Sequence, residues 1–360
     1  MIITNAAERL INQLHMGPKT AVAVHDPSNL FYLTEGYTGE GCLYISEASR
    51  VIITDFRYTE QAERQAPGFR VEMIGKGRNH DRVFAELAKA EGITEIRAET
   101  NYLPVDSFEA LRGALGEEIS CVPLNRVPQQ LRQVKTPAEI VKIRKACDIT
   151  SEAFNAILPK IKEGMTEKEL RIELEFTMLR LGADEFAFDT IIASGENGSL
   201  PHAIPGDRML RGGDMITMDF GAKVGGYCSD MTRTVALGQP SAEMRKVYDT
   251  VLRAQAMCED ALAAGRVCSE IDKLARDYID ARGYAGCFGH GLGHSVGIDI
   301  HEDPRLSQNC RDVLKAGVVI TVEPGVYLPG VGGVRIENTC LVKENGCEPL
   351  TTADKQLIIL

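Results

Sequence analysis

Two segments in the second half of the chain alternate apolar and polar residues on both sides of a glycine-containing turn. Segment 214–238 reads DMITMDFGAKVGGYCSDMTRTVALG, and segment 316–342 reads AGVVITVEPGVYLPGVGGVRIENTCLV. Such alternation around a glycine turn is typical of a β-hairpin. Two predicted hairpins constrain the fold strongly, because the period of two fixes which side chains share a face of each strand.

In the first predicted hairpin, alternation places Asp219 and Asp230 on the more polar faces of their strands. A turn centred between Val224 and Gly225, in a four-residue loop, would set the two aspartates directly opposite each other, with Cβ atoms about 5 Å apart. Facing like charges are destabilising unless a cation lies between them. The alternative is that both aspartates lie on a solvated face of a sheet, since Asp is rarely buried without a partner.

The second predicted hairpin carries Glu323 on one strand and Glu337 on the other, both on the faces opposite the apolar residues. We therefore expect the two glutamates to converge across the hairpin. Arg335 shares a face with Glu337. A single glutamate would more commonly be a surface residue, but two hairpins that each carry a pair of carboxylates favour a common cation site.

Three of the seven histidines, His290, His294 and His301, lie between the two hairpins in the segment GCFGHGLGHSVGIDIHEDP. Neutral imidazole is a common metal ligand, so this glycine-rich segment is interpreted as a ligand loop, the alternative being a loop of hydrogen-bonded histidines without a metal. The glycines beside His290 disfavour a helix and no glutamate follows it, which excludes the HExxH pattern of a zinc helix. His202 lies in another turn-rich loop, SGENGSLPHAIPG.

Four carboxylates and one imidazole form a hard, oxygen-rich ligand set, which suits manganese or another divalent first-row ion. The four negative charges would balance two divalent cations. Two ions about 3.5–4 Å apart can bridge a hydroxide and stabilise the oxyanion of a hydrolytic transition state. The sequence therefore predicts two divalent metal ions per chain, with manganese preferred and cobalt or zinc as alternatives.

Composition excludes several classes of protein. The net charge of −11, from 40 basic and 51 acidic residues, argues against a nucleic-acid or anionic-lipid partner. No apolar run approaches the about 20 residues of a membrane-spanning helix, and the first residues lack the apolar core of a signal peptide. The ten cysteines contain no CxxC pair, which favours buried thiols in a reducing cytosol. We therefore expect a cytoplasmic protein.

The first third of the chain alternates strand-like and helix-like segments, which favours an α/β domain. No phosphate-binding glycine motif occurs in the chain. The proline-containing stretch NRVPQQLRQVKTPAEI marks a boundary between predicted domains 1–128 and 129–360. The second domain is expected to open with a helix from Pro137 that ends at Gly164, followed by a helix capped by Thr166.

The ordered motifs MDFGAKVGGYCSDMTRT, GHGLGHSVG with HEDP, VEPGVY and GGVRIENT resemble those of the pita-bread metallopeptidases, in particular Xaa-Pro aminopeptidase (aminopeptidase P) and Xaa-Pro dipeptidase (prolidase). The resemblance covers residues 130–360 and continues into the first domain through YLTEG and VIITDFRYTEQA. It implies an α/β N-terminal domain of the creatinase/prolidase type, an α+β pita-bread catalytic domain with two pseudo-symmetric halves, and a homodimer.

The resemblance also implies a role for each metal-ligand candidate. Asp219 would bind one ion, Asp230 and Glu337 would bridge both ions, and the second ion would be bound by His294 and Glu323. Glu323 would in addition be the general base that accepts a proton from the attacking water.

The remaining candidates implied by the resemblance are His202, His290 and His301, expected around the substrate carbonyl and the leaving group, and Arg335, expected near the active site. Together these roles imply an Xaa-Pro aminopeptidase that acts on short proline-containing peptides, with an Xaa-Pro dipeptidase as the alternative. A creatinase-like hydrolase is disfavoured by the complete ligand set. A peptidase-like binding protein without catalysis is the remaining hypothesis.

Overall fold

The computed structural model describes residues 5–360. The chain divides into two units, of which the first ends at Arg132 and the second runs from Gln133 to Leu360. Each unit has its own hydrophobic core. Within the described residues, no helix has both the length and the apolar character needed to cross a membrane.

The first unit is an α/β domain, which confirms the prediction. Its elements in chain order are α1 (Ala6–Gln13), β1 (Thr20–Val24), α2 (Pro27–Thr34), β2 (Cys42–Ser46), β3 (Arg50–Thr54), α3 (Thr59–Gln65), β4 (Arg70–Met73), α4 (His80–Glu91), β5 (Glu95–Ala98), α5 (Val105–Leu115), β6 (Ser120–Pro123) and α6 (Val127–Arg132). The six strands form one sheet in the order β4-β3-β2-β1-β5-β6. Strand β2 pairs antiparallel with both β1 and β3, and the other three pairings of the sheet are parallel.

The first half of the second unit contains two helices and six short strands. They are α7 (Pro137–Ile157), α8 (Glu167–Arg180), β7 (Glu185–Phe186), β8 (Ile191–Ser194), β9 (Met215–Phe220), β10 (Ala222–Val224), β11 (Tyr227–Cys228) and β12 (Met231–Ala236). Strands β12-β9-β8 form one sheet and β11-β10-β7 another. The inner faces of α7 and α8 pack with these strands in one apolar core.

The second half repeats this plan with another helix pair. Its elements are α9 (Ala242–Ala261), α10 (Cys268–Ile279), β13 (Gly293–Ser295), β14 (Glu302–Leu306), β15 (Val319–Val322), β16 (Gly325–Leu328), β17 (Gly332–Arg335), β18 (Asn338–Lys343) and β19 (Gly346–Pro349). Five strands form a sheet in the order β14-β13-β15-β18-β19, and β16 pairs with β17. A second apolar core lies between α9, α10 and this sheet.

The helices at the start of the second unit follow the sequence signals in part. Helix α7 begins at Pro137, and its N-cap is Thr136. The α-helix ends at Ile157 and not at Gly164, because Pro159 has no amide hydrogen to continue the ladder and the chain turns into a short 3₁₀ segment. The Thr166 cap of α8 is present, with its side chain accepting from the amide of Glu169.

The register of the first hairpin differs from the prediction by two residues. Asp219 faces Thr232 and not Asp230. The turn is the two-residue loop Gly225-Gly226, in which both residues have positive φ. This geometry matches the right-handed twist of the strands and is accessible to glycine without strain. A shift of two residues preserves the faces of both strands, so Asp219 and Asp230 become diagonal neighbours on one face.

The second hairpin has the register that brings its glutamates together. Val322 at the end of β15 faces Asn338 at the start of β18, and Gly325 of β16 faces Arg335 of β17. The same register places Glu323 and Glu337 at facing positions between these two ladders. The strand face that carries both glutamates points away from the apolar core, where the side chains of the alternate residues lie.

Candidate metal centre

Five acidic and imidazole side chains meet where the two hairpins and the β13 strand end. Asp219 is the penultimate residue of β9, and Asp230 directly precedes β12. His294 is the middle residue of β13. Glu323 directly follows β15, and Glu337 directly precedes β18. Each side chain is therefore fixed by a strand that is part of a hydrogen-bonded sheet.

The structure brings Asp230, His294 and Glu337 into one buried cluster. One ligand atom from each of the three lies within 4.8 Å of the others. The Nε2 atom of His294 is 3.4 Å from Asp230 Oδ2 and 3.4 Å from Glu323 Oε1. Four of the five predicted ligands are therefore adjacent, and the imidazole nitrogen lies between two carboxylates.

Asp219 joins this cluster through hydrogen bonds. Its Oδ2 atom accepts from Arg335 Nη2 at 2.6 Å. Arg335 also donates from Nε to Thr232 Oγ1 at 3.2 Å, and the Thr232 hydroxyl donates to Glu337 Oε2 at 2.6 Å. Arg335 and Thr232 thus fix the orientation of one carboxylate from each hairpin.

Three carboxylate oxygens at the centre have no hydrogen-bond partner although they are buried. They are Asp219 Oδ1, Asp230 Oδ1 and Glu337 Oε1. A buried carboxylate oxygen without a donor is costly, and such atoms are rare in folded proteins. Because the three belong to three different predicted ligands in one cluster, the residues fit a site for divalent cations, which prefer this oxygen-rich set.

The pKa values of the cluster show the mutual repulsion of its acids. Burial and then the charge of Asp219 raise the pKa of Glu337 to about 8. Burial and the Glu337 carboxylate likewise raise the pKa of Asp230 and of Glu323. Burial lowers the pKa of His294 to about 3, so its imidazole is neutral and available as a ligand. Bound cations would favour the ionised carboxylates again.

The three further histidines lie around this cluster. His290 Nε2 is 2.8 Å from the Tyr327 hydroxyl, and burial lowers the pKa of His290 to about 4. The ring of His301 meets that of His294 edge-on, with centroids 4.3 Å apart. His202 is exposed and forms part of the surroundings of both His290 and His301, since its charge lowers the pKa of each.

Three residues that sequence reasoning did not select belong to the site. The Tyr327 hydroxyl forms a hydrogen bond with His290 Nε2 and accepts another from Arg335 Nη1 at 2.9 Å. The hydroxyl of Thr321 lies 3.3 Å from Glu323 Oε1 and accepts from the His294 amide. Thr232 has the bonds described above. The available signal was the period of two, which places each of these residues two or four positions from a carboxylate ligand on the same face.

Comparison with known families identifies the family of this chain. The model of Metallopeptidase family M24 matches residues 141–344, and that of the Creatinase/Prolidase N-terminal domain matches residues 8–134. The chain belongs to metallopeptidase family M24. The prediction of a two-domain metallopeptidase is therefore confirmed, and the hypothesis of a binding protein without catalysis is set aside.

Similar proteins cover the whole length of this M24 chain. The Xaa-Pro dipeptidase of Pyrococcus furiosus is 36% identical over 354 residues, which are 98% of this chain and 99% of the relative. The structure of Xaa-Pro dipeptidase from Bacillus anthracis has a TM-score of 0.94 and 37% identity over 99% of both chains. The X-Pro aminopeptidase structure from Thermotoga maritima has a TM-score of 0.91 and 36% identity, covering 99% of this chain and 100% of the other.

Proposed function

We propose that this protein is a metal-dependent Xaa-Pro dipeptidase, which hydrolyses dipeptides whose second residue is proline. The observation that carries the proposal is the buried cluster in which three ligand carboxylates each keep one oxygen without a partner. Two of the three similar proteins described above are named Xaa-Pro dipeptidase. These names favour the dipeptidase over the aminopeptidase that was the first expectation from the sequence.

The proposed ligands are those that the resemblance implied. Asp219 would bind one cation, and His294 and Glu323 would bind the other. Asp230 and Glu337 would be ligands of both cations. Two divalent cations, manganese being preferred, would lower the pKa of a bound water and stabilise the oxyanion of the transition state. Arg335 holds the second oxygen of Asp219, and the Thr232 hydroxyl holds that of Glu337.

The surrounding residues supply proton transfer and substrate binding in this proposal. Glu323 is partly exposed, so its carboxylate can accept a proton from water. His202, His290 and His301 surround the centre and would donate hydrogen bonds to the substrate carbonyl and its terminal groups. Arg335 reaches His290 through the Tyr327 hydroxyl, which fixes the ring of that histidine.

Proline explains why such bonds need a dedicated site. The amide nitrogen of proline carries no hydrogen and its ring restricts the preceding residue. A peptidase that recognises the scissile N–H therefore lacks its usual contact. A site that instead binds the carbonyl oxygen by cations and surrounds the substrate with imidazoles does not need that hydrogen.

An Xaa-Pro aminopeptidase is the second candidate, because the Thermotoga maritima protein of that name is 36% identical to this chain. The deciding experiment compares hydrolysis of Ala-Pro with hydrolysis of Ala-Pro-Ala by protein loaded with the same amount of manganese. We expect a kcat/KM at least tenfold higher for the dipeptide, which is about 1.4 kcal/mol of transition-state preference. A preference for the tripeptide would establish the second candidate instead.

A variant tests the metal centre itself. Asp230→Ala should abolish both the release of free proline and the binding of manganese. A chelator should inhibit the parent protein. Asp249→Ala, which removes an exposed aspartate from α9, is the matched control and should leave both unchanged. Full activity of Asp230→Ala, or activity that survives complete chelation, would refute the metal-dependent mechanism.

Location and assembly also belong to this proposal. All ten cysteines are free, which supports a cytoplasmic location because thiols persist in reducing compartments. The homodimer is a prediction from the family resemblance. Sedimentation of the full chain tests it directly, since a monomer of 39.4 kDa and a dimer separate clearly.

A further inference from the structure

The loop of residues 195–206, here called the His202 loop, lies against the second hairpin. Gly198 approaches Gly333 of β17 so closely that a Cβ atom on Gly198 would lie 2.9 Å from the Gly333 nitrogen. The Pro201 carbonyl accepts from Arg335 Nη1 at 3.3 Å. These contacts fix one side of the loop beside the second hairpin, and His202 itself is exposed.

A single buried carboxylate, that of Glu167, holds the other side of the loop. Glu167 is the first residue of α8 and its exposed fraction is 0%. Its Oε1 accepts from the Ser194 amide at 2.8 Å and the Ser194 hydroxyl at 2.7 Å. Asn197 Nδ2 donates to both oxygens at 3.1 Å, and the Gly206 amide donates to Oε2 at 3.4 Å.

These hydrogen bonds join the two ends of the loop. Ser194 is the last residue of β8 and precedes the loop, whereas Gly206 is its last residue. Asn197 lies in the 3₁₀ turn between them. All these donors are neutral, and a buried carboxylate without a paired cation needs such donors to offset its loss of hydration. The loop and the carboxylate therefore depend on each other for their geometry.

We propose that Glu167 is a positioning residue that fixes the His202 loop so that His202 faces the substrate. The inference rests on the proposed function, because it assumes that His202 contacts the substrate. The hydrogen bonds of Glu167 run to Ser194, Asn197 and Gly206, and none of these residues is a proposed metal ligand. The effect of Glu167 on hydrolysis therefore reaches the reaction through His202.

The isosteric variant Glu167→Gln tests this role. Its amide nitrogen would face the donors of Ser194, Asn197 or Gly206, so at least one end of the loop loses its anchor. We expect kcat/KM for Ala-Pro to fall about 10- to 100-fold, the effect of a misplacement near 1 Å, with most of the loss in kcat and bound manganese unchanged. Glu173→Gln, on the exposed face of the same helix, is the control and should behave as the parent.

A double-mutant cycle separates positioning from a general structural role. In a His202→Ala background, Glu167→Gln should lower kcat/KM by less than threefold, because the group that it positions is already absent. An equal fold-loss in both backgrounds would overturn the proposal, as would parent-like kinetics of folded Glu167→Gln. If Glu167→Gln yields no folded protein, Asn197→Ala, which removes one donor, is measured in the same cycle, and additivity there overturns the proposal.

Failure of this inference is distinguishable from failure of the proposed function. If neither Asp230→Ala nor His202→Ala changes hydrolysis of Ala-Pro, the proposed function fails. If both variants lose activity but the Glu167 and His202 substitutions act additively, the proposed function stands and only the positioning role of Glu167 is wrong.

Discussion

Glu337→Gln is expected to stabilise the metal-free protein while it removes activity. In the metal-free state, burial and the charge of Asp219 raise the pKa of Glu337 from 4.5 to about 8. The folded protein therefore keeps a proton on Glu337 over a pH range in which the unfolded chain releases it. Stability falls as the pH rises through this range, because the unfolded state then binds fewer protons than the folded state.

The size of the effect follows from this interval. Between pH 4.5 and pH 7 lie about 2.5 pH units, which at about 1.4 kcal/mol per unit correspond to roughly 3 kcal/mol. At pH 5 the same relation gives a destabilisation of only about 1 kcal/mol. Glutamine has the shape of the protonated acid, can accept the Thr232 hydrogen bond at Glu337, and never ionises. The variant should therefore unfold roughly 5–10 °C higher than the parent at pH 7.

The assay is thermal unfolding followed by circular dichroism, with both proteins in excess chelator between pH 5 and pH 8. Glu344→Gln, which neutralises an exposed glutamate on the turn between β18 and β19, is the matched control and should shift the midpoint by less than 1 °C. When manganese is added, the order should reverse, because ligand binding stabilises only the protein that binds it.

Two outcomes would show that this reasoning is wrong. One is a chelated Glu337→Gln protein that is less stable than the parent over the whole pH range. The other is a stability difference that does not increase between pH 5 and pH 7, because the linkage requires that slope. In either case the buried carboxylates would not be the source of strain in the metal-free protein.

Two further predictions concern residues next to the ligands. Thr232→Val removes the donor to Glu337 and should weaken manganese affinity about 10- to 100-fold. Titration with a metal indicator measures this affinity. An unchanged affinity would show that the hydrogen bond does not orient the ligand. Gly221→Ala should lower the free energy of unfolding by about 3 kcal/mol, measured in urea, because the added Cβ would overlap the Ser229 carbonyl oxygen. A decrease below about 1 kcal/mol would mean that the two strands move apart easily at this position.

Local patterns were sufficient to predict the faces of the strands but not their exact pairing. Alternation placed the paired carboxylates of each hairpin on one face, and this holds for both hairpins. The predicted register of the first hairpin was wrong by two residues because the turn is set by the backbone of Gly225 and Gly226, whose positive φ values are not a property of the hydrophobic pattern.

Contacts between distant segments could not be derived from periodicity. His294 lies 64 positions after Asp230 in the chain, yet the two side chains are 3.4 Å apart. That distance depends on how the sheets of the two halves pack, which no local signal encodes. The family resemblance supplied the grouping of the ligands. The hydrogen bond from Thr232 to Glu337 was missed for the same reason, because the two residues lie 105 positions apart. The bond from Arg335 to Tyr327 lies within the second hairpin and was missed because alternation gives the face of a side chain but not its hydrogen-bond partner.

Two kinds of buried carboxylate can be contrasted among the described residues, and the contrast supports the proposed ligands independently of any comparison. Glu167 and Glu99 have donors on both oxygens, in the latter case from the amides of His25 and Asp26 and from the Asn29 side chain. Such carboxylates hold neighbouring segments of the chain in place, because both of their oxygens accept from neutral donors.

Two carboxylates at the centre, those of Asp219 and Glu337, show another pattern, in which the protein bonds one oxygen and leaves the other without a donor. Arg335 holds one oxygen of Asp219, and Thr232 holds one oxygen of Glu337, while Asp219 Oδ1 and Glu337 Oε1 have no partner. The bonded oxygen fixes the orientation of the group, and the free oxygen is available to a cation. Since an unpartnered buried oxygen destabilises the metal-free fold, the presence of three such oxygens in three clustered acids supports the proposal that these acids bind cations.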